Sequence, residues 1–351
     1  MSLIRDESII EGRYLQDILD QPRALRDTFA VLAATPELER LAQRIHDGDF
    51  QRIVLTGMGS SFHALYPLSL QLVDHGFTAV MAEASELIHY KKRFFDPHSL
   101  IVVVSQSGRS AEILRLLEIN QGNSALIAVT NTPDSPLAEA ADVVLATKAG
   151  EEFSVSCKTY ITALMALQWL GDVLCRKDMR RTRRDLALAA SASEAYLQEW
   201  KQHTFSLAEL LDGTRHLFLV GRGASLAAVG TGALIIKESD HFHAEGMSSA
   251  AFRHGPFEML HPGMFVLIFS GDPQTSALNR KLFDDVREEE GNAALVGPDA
   301  ELDSLRLPDT PANIRAMLEI LPIEMITLAL AALAEREPGR FERASKVTTT
   351  E

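Results

Sequence analysis

The 351-residue sequence predicts an α/β protein of two similar halves, each a parallel sheet flanked by helices. Three observations carry this. Short β-branched apolar runs alternate with helical stretches over residues 49–176, the pattern of strands buried on both faces. The same alternation restarts after a charged helical stretch. The turn that ends the first strand of each half also recurs: Thr56-Gly57-Met58-Gly59-Ser60-Ser61 is answered by Val220-Gly221-Arg222-Gly223-Ala224-Ser225.

Taken in order, residues 1–48 read as helical. Leu15, Ile18 and Leu19, then Leu25, Phe29 and Leu32, recur at helical spacing, with Gln21-Pro22 as a break. Residues 51–61 (QRIVLTGMGSS) read as a strand entering a Gly/Ser turn. Apolar strands follow at 78–82, 100–104, 125–129 and 143–146, and a long apolar helix at 160–175 closes a first domain, 49–176. A helical connector, 177–210, opens on the basic run 176–184 (RKDMRRTRR), which reads as a solvated connecting face. In the second domain, 211–340, residues 216–225 (HLFLVGRGAS) read as a strand entering a Gly/Ser turn, strands follow at 264–269 and 293–296, and helices run from 226 to about 238 and over 314–334. A polar tail, 341–351, ends the chain.

Composition narrows the function. With 46% hydrophobic and 23% charged residues the chain is an ordinary globular protein. A formal net charge of −14 argues against nucleic acid or an anionic membrane as partner. A phosphorylated ligand must then be held by local donors. The apolar runs read as too short to span a membrane, and residues 1–13 carry no hydrophobic signal core. Two cysteines, Cys157 and Cys175, are too few for a disulfide framework or a zinc site and fit a reducing cytoplasm. Nothing in the pattern calls for a metal or organic cofactor.

Two stretches concentrate polar chemistry. The first is 100–117, LIVVVSQSGRSAEILRLL, in which a buried strand ends in Ser105-Gln106-Ser107-Gly108-Arg109-Ser110 and a helix begins. Free N–H groups in the first helical turn, a glycine and several hydroxyls suit a phosphate better than a plain N-cap, for which one serine suffices. A dinucleotide reading of the two Gly/Ser turns fails, because the third glycine is Phe62 in one and Leu226 in the other. The second stretch, 233–256, crowds Glu238, His241, His243, Glu245 and His254 into seventeen residues. Metal binding lacks the H-E-x-x-H spacing. Surface polarity at a helix end and acid–base catalysis both remain open on the residues alone.

The double repeat, the S-Q-S-G-x-S/T turn and the K-E…H-A-E…H-G-P segment resemble the SIS (sugar isomerase) domain family, in particular the isomerase half of glucosamine-6-phosphate synthase. Ile18-Leu19-Asp20-Gln21-Pro22 and Ser345-Lys346-Val347-Thr348 extend the resemblance to both ends. It implies two flavodoxin-like three-layer domains with the tail over the active site. It implies that Ser105, Gln106, Ser107 and Ser110 hold a sugar phosphate, with Ser60 and Ser61 beside the ring and Ser156 lining the site. Glu238 falls on the carboxylate that moves a proton between C1 and C2. His254 falls on the ring-opening histidine, which in that family comes from the neighbouring subunit of a dimer, and Lys346 on the lysine that closes over the sugar.

Three departures matter. Ser2 stands near the start of the sequence where the synthase's glutaminase half has its catalytic cysteine, so ammonia from glutamine is not expected. Ile235 replaces a lysine three residues before Glu238, and Arg109 replaces a glutamate in the turn; such an arginine can pair with a carboxylate or phosphate of the substrate. The resemblance therefore implies a stand-alone isomerase that releases an amine, as a glucosamine-6-phosphate deaminase does. A deglycase acting on a glycated amino acid 6-phosphate, a plain ketose–aldose isomerase and a non-catalytic sugar-phosphate sensor are the alternatives.

Overall fold

Residues 52–57, RIVLTG, are apolar and β-branched enough to be buried on both faces, and they form β1 (Arg52–Gly57). The computed structural model describes residues 3–343, 345–346 and 348, and falls into two compact units. Ser2 and Val347 lie outside the described residues.

One unit comprises Arg23–Glu151, Lys158–Leu188 and Arg343–Glu351. Its sheet adds β2 (Ala79–Glu83), β3 (Ser99–Val104), β4 (Ala125–Thr130) and β5 (Val143–Ala146) to β1, in the order β2-β1-β3-β4-β5. All pairings are parallel. Central β3 is buried at every position, which explains its unbroken apolar run. One face packs Val54, Ile101, Val103 and Leu126 against Ile113, Leu116 and Leu137 from flanking helices. The helix Lys158–Leu174 is buried along its whole length.

The other unit comprises Met1–Pro22, Glu152–Cys157 and Ala189–Glu342. Its strands are β6 (His216–Gly221), β7 (Ala244–Ser248), β8 (Met264–Phe269) and β9 (Asn292–Val296), all parallel, ordered β7-β6-β8-β9. Phe218, Val266 and Ile268 pack on Phe252, Leu282 and Val286. The first N-terminal helix, Arg13–Leu19, joins this unit: Thr327 donates to the Tyr14 hydroxyl at 3.2 Å, and Gln21 donates to the buried Glu324 carboxylate at 2.6 Å. Burial holds the Glu324 carboxyl well above the usual carboxylate range.

The repeat extends to hydrogen bonds. Ser105, just past β3, donates its amide to Val129 at 3.0 Å; Ser270, just past β8, donates to Val296 at 2.9 Å. In both sheets the chain leaves the first strand to one side and returns on the other. That topological switch point opens a crevice at the carboxyl ends of the strands.

Three expectations change. β7, with its sequence AEGMS, carries too little apolar character to signal a strand. The helix expected over 314–334 is two helices, Ala312–Leu318 and Leu321–Leu333, with Pro322 opening the second. Third, the apolar runs are not all too short to span a membrane: Ala312–Leu333 has the length and mean hydropathy, 1.9, for a membrane span. It is instead 94% buried inside the fold, where the core supplies the apolar surroundings. Cys157 and Cys175 are buried thiols, not joined in a disulfide.

Candidate active site

β1 and β3 are adjacent, with Thr56 level with Val103, so the Gly/Ser turn after β1 and the Ser-rich turn after β3 leave one sheet edge side by side. Gly57 makes this possible: a Cβ there would lie 2.9 Å from the Val104 carbonyl oxygen. Ser60 is buried and Ser61 half-buried in the short helix Gly59–His63.

The Ser-rich turn is held from below. Asn131 donates its amide, and Thr130 and Thr132 donate their hydroxyls, to the Gln106 carbonyl at 3.1, 3.2 and 3.1 Å. In a trans peptide the following N–H points the opposite way, so the Ser107 amide is aimed away from the end of β4. Ser105 accepts the Gly108 amide at 3.1 Å and Ser107 accepts the Arg109 amide at 3.3 Å. Gly108 takes a φ of +60°, and a Cβ there would fall 2.2 Å from the Ser135 hydroxyl, so only glycine fits. Arg109 is thrown outward, exposed, and donates to the Asp134 carbonyl at 2.6 Å. Ser110 is the N-cap of the helix Ala111–Asn120, yet its hydroxyl makes no capping bond. It therefore remains a donor at the helix's positive end, as an anion site requires.

The tail reaches the same helix. Ala111 donates its amide to the Thr348 carbonyl at 3.2 Å, and Lys346, two residues earlier, is half-buried. Two features here escaped the sequence reading. Thr130-Asn131-Thr132 braces the turn and is legible only as a polar triplet after a strand. Glu112, in the first helical turn, is 8% exposed with one carboxylate oxygen lacking a partner among the described residues.

In the unit of the second sheet, the apolar stripe Val229, Ala233 and Ile236 buries one side of the helix Leu226–Asp240 and places Glu238 in its last turn. Glu238 is half-buried and makes no hydrogen bond or ion pair among the described residues. Desolvation pushes its carboxyl up to about 7, with the neighbouring Lys237 ammonium pulling the other way. Such a group takes and returns protons at neutral pH, which an ordinary exposed carboxylate with a pKa of about 4 does poorly. Ile235 is fully buried in the core.

The polar crowd around Glu238 disperses. His241 caps the helix in a left-handed conformation and meets Arg336 Nη2 at 3.0 Å through Nε2. His243 lies 3.6 Å from Glu245. His254 follows the helix Ser249–Arg253, exposed, its amide donated to Ala251 at 3.1 Å. Among the described residues no three His, Cys, Asp or Glu side chains come together to hold a metal. Ser156 is half-buried in the segment Glu152–Cys157. Thus Ser60, Ser61, Ser105, Gln106, Ser107, Arg109, Ser110 and Lys346 fall in the unit of the first sheet. Ser156, Glu238 and His254 fall in that of the second.

Known proteins match this architecture. The chain is 28% identical over 351 aligned residues to the glutamine–fructose-6-phosphate aminotransferase (isomerizing) of Pyrococcus horikoshii, an alignment that covers 96% of this chain and 57% of that protein. It thus spans little more than half the length of that relative. The C-terminal domain of glucosamine-fructose-6-phosphate aminotransferase from Francisella tularensis superposes with a TM-score of 0.83 at 22% identity, over 94% of this chain and 98% of that one. Glucosamine-6-phosphate deaminase from Thermotoga maritima superposes with a TM-score of 0.73 at 19% identity, over 97% and 100%. The SIS domain is matched at residues 49–171 and 210–297, one match on each sheet, and the chain belongs to the SIS domain family.

Proposed function

We propose that this chain is a phosphosugar isomerase-type enzyme acting on amino-sugar phosphates, which isomerises an aldose to a ketose and releases the amine. The observation that carries the reading is Glu238: a half-buried, unpartnered carboxyl whose proton affinity sits near neutrality. The Ser-rich turn, with the Ser110 hydroxyl making no capping bond at a helix N-terminus, supports binding of the phosphate.

In this reading His254, supplied by the neighbouring subunit of a homodimer, protonates the ring oxygen and opens the sugar. The Glu238 carboxylate removes the proton from C2 of the open-chain aldehyde, leaving a planar enolamine. The same carboxyl returns that proton to C1, so the aldose becomes a ketose with an imine at C2. Water adds to C2, the carbon–nitrogen bond breaks, and ammonia leaves. Lys346 closes over the sugar. Ser60, Ser61 and Ser156 bond the sugar hydroxyls, and a reducing cytoplasm suits two cysteines that form no disulfide.

Arg109 favours a second reading. Exposed at the rim of the turn and bonded only to a main-chain carbonyl among the described residues, it could take the carboxylate of an amino acid carried on the sugar. The chain would then be a deglycase. Incubation with glucosamine 6-phosphate and with fructose-amino-acid 6-phosphates separates the readings. Free ammonia from the first supports the deaminase, free amino acid from the second the deglycase. Interconversion of unsubstituted sugar phosphates alone marks a plain isomerase. Tight binding without any turnover contradicts an enzyme and leaves a sensor.

A further inference from the structure

The second sheet carries a cavity that the catalytic reading does not use. It lies at the carboxyl ends of β8 and β9, holds about 190 Å³, and is lined by Ser270, Ser276, Arg280, Leu295, Gly297 and Asp299 among others. That is the liquid volume of about six waters. By the repeat it is the counterpart of the ground beside the Ser-rich turn, since Ser270 stands where Ser105 stands.

The two repeats treat this ground differently. In the first, the helix Pro136–Ala140 packs onto the turn: Leu137 donates its amide to Gly108 at 3.3 Å, and Ser135 sits where a Gly108 side chain would be. In the second, the chain after β9 loops back on itself, with Gly297 donating to Leu305 and Leu307 donating to Gly297, both at 3.1 Å. Ser276, Ala277 and Arg280 there line an open cavity.

Its charges are opposite and unspent. Arg280, four residues into the helix Ser276–Glu288, stacks on the Phe283 ring at 5.6 Å. Asp299 stands on the loop after β9. Both line the cavity, and neither forms an ion pair among the described residues. An arginine and an aspartate that line one cavity with no ion pair between them suit a ligand bearing both complementary charges. The Ser270 and Ser276 hydroxyls add neutral donors and acceptors, and Leu295 with Ala277 an apolar wall.

We propose that this cavity binds a small zwitterion, its carboxylate or phosphate at Arg280 and its ammonium at Asp299. A free amino acid and an amino-sugar phosphate share that chemistry. The inference does not rest on Glu238 or on the reaction proposed above.

Calorimetric titration of the full chain tests it, with glycine and glucosamine 6-phosphate as zwitterions and acetate and methylamine as single-charge controls. At least one zwitterion should bind saturably and both controls about tenfold more weakly or worse, the loss of one charge-assisted contact. Arg280→Gln and Asp299→Asn, both at exposed side chains, should each weaken that zwitterion about tenfold while leaving the melting temperature unchanged. Glucosamine 6-phosphate is titrated again in a Ser107→Ala chain. Binding that survives there and is lost on adding Arg280→Gln belongs to this cavity. Preference for glycine identifies an amino acid, and preference for the sugar phosphate identifies an amino-sugar phosphate. Absence of saturable binding by either zwitterion overturns the proposal. So does affinity unchanged in both variants, or equally strong binding of acetate or methylamine.

Discussion

Gly339 donates its amide to the Ser239 hydroxyl at 2.9 Å, which ties the chain just before the tail to the helix end one residue beyond Glu238. The turn is crowded. Gly339 has a φ of +75°, and a Cβ there would lie 2.9 Å from the Ser154 hydroxyl and 3.0 Å from the Tyr14 ring. Arg336 reinforces it, donating to His241 Nε2 at 3.0 Å and to Glu342 at 2.8 Å. Gly339→Ala should cost about 1–3 kcal/mol, the range for a non-glycine residue forced into the left-handed region. A thermal melt checks this, and an unchanged midpoint would contradict the packing described.

Besides burial, the Lys237 ammonium acts on the Glu238 carboxyl, and it favours the ionised form. Removing it in Lys237→Met should raise the Glu238 pKa further above about 7. If Glu238 is the base, kcat/KM climbs with pH as the carboxyl ionises, and the variant's acid limb moves to higher pH. The shift should shrink as salt is added, because Lys237 is exposed. An acid limb that does not move would show that another group sets it.

The Ser110 hydroxyl caps nothing, so its loss should leave the fold intact. Ser110→Ala should raise KM for a sugar phosphate about tenfold, the worth of one hydrogen bond to a charged group, with kcat little changed. Equal losses in kcat would move Ser110 from phosphate binding to the chemical step.

Glu319 is buried, accepts the Ser225 hydroxyl at 2.8 Å, and is held at about 7 mainly by desolvation. The folded state therefore keeps a proton that the unfolded chain loses from about 4.5 upward. Stability should be full below about 4.5 and fall until about 7, by roughly 3 kcal/mol for this one group. Denaturant melts across that window should show the decline, and Glu319→Gln should flatten part of it. A variant with the wild-type slope would mean that Glu319 ionises normally.

The fold was legible wherever burial imposes a pattern. Residues 101–104 are β-branched without a break because β3 is covered on both faces, and the paired Gly/Ser turns recur because both first strands end at a switch point. β7 was not legible, since Glu245 and Gly246 interrupt a strand of five residues. Nor was the break between Leu318 and Leu321, because the run is apolar on all sides and only Pro322 marks it. At the site, the turn around Ser107 stood out by residue type and position, whereas only the family resemblance picked Glu238 out of its polar cluster. The bracing of Gln106 by Thr130, Asn131 and Thr132, and the buried carboxyl groups of Glu112 and Glu319, depend on tertiary neighbours that local spacing does not reveal.

The most direct test follows the proton. The chain and its Glu238→Gln variant are incubated with glucosamine 6-phosphate and with a fructose-amino-acid 6-phosphate in deuterated water, and deuterium at C1 and C2 is followed by NMR. The wild-type chain should incorporate deuterium into at least one of them. Glu238→Gln, folded and still binding the sugar phosphate, should do so about 10²–10⁴-fold more slowly, the usual worth of a positioned base. Exchange at the wild-type rate in Glu238→Gln would contradict the account and assign the proton to another group.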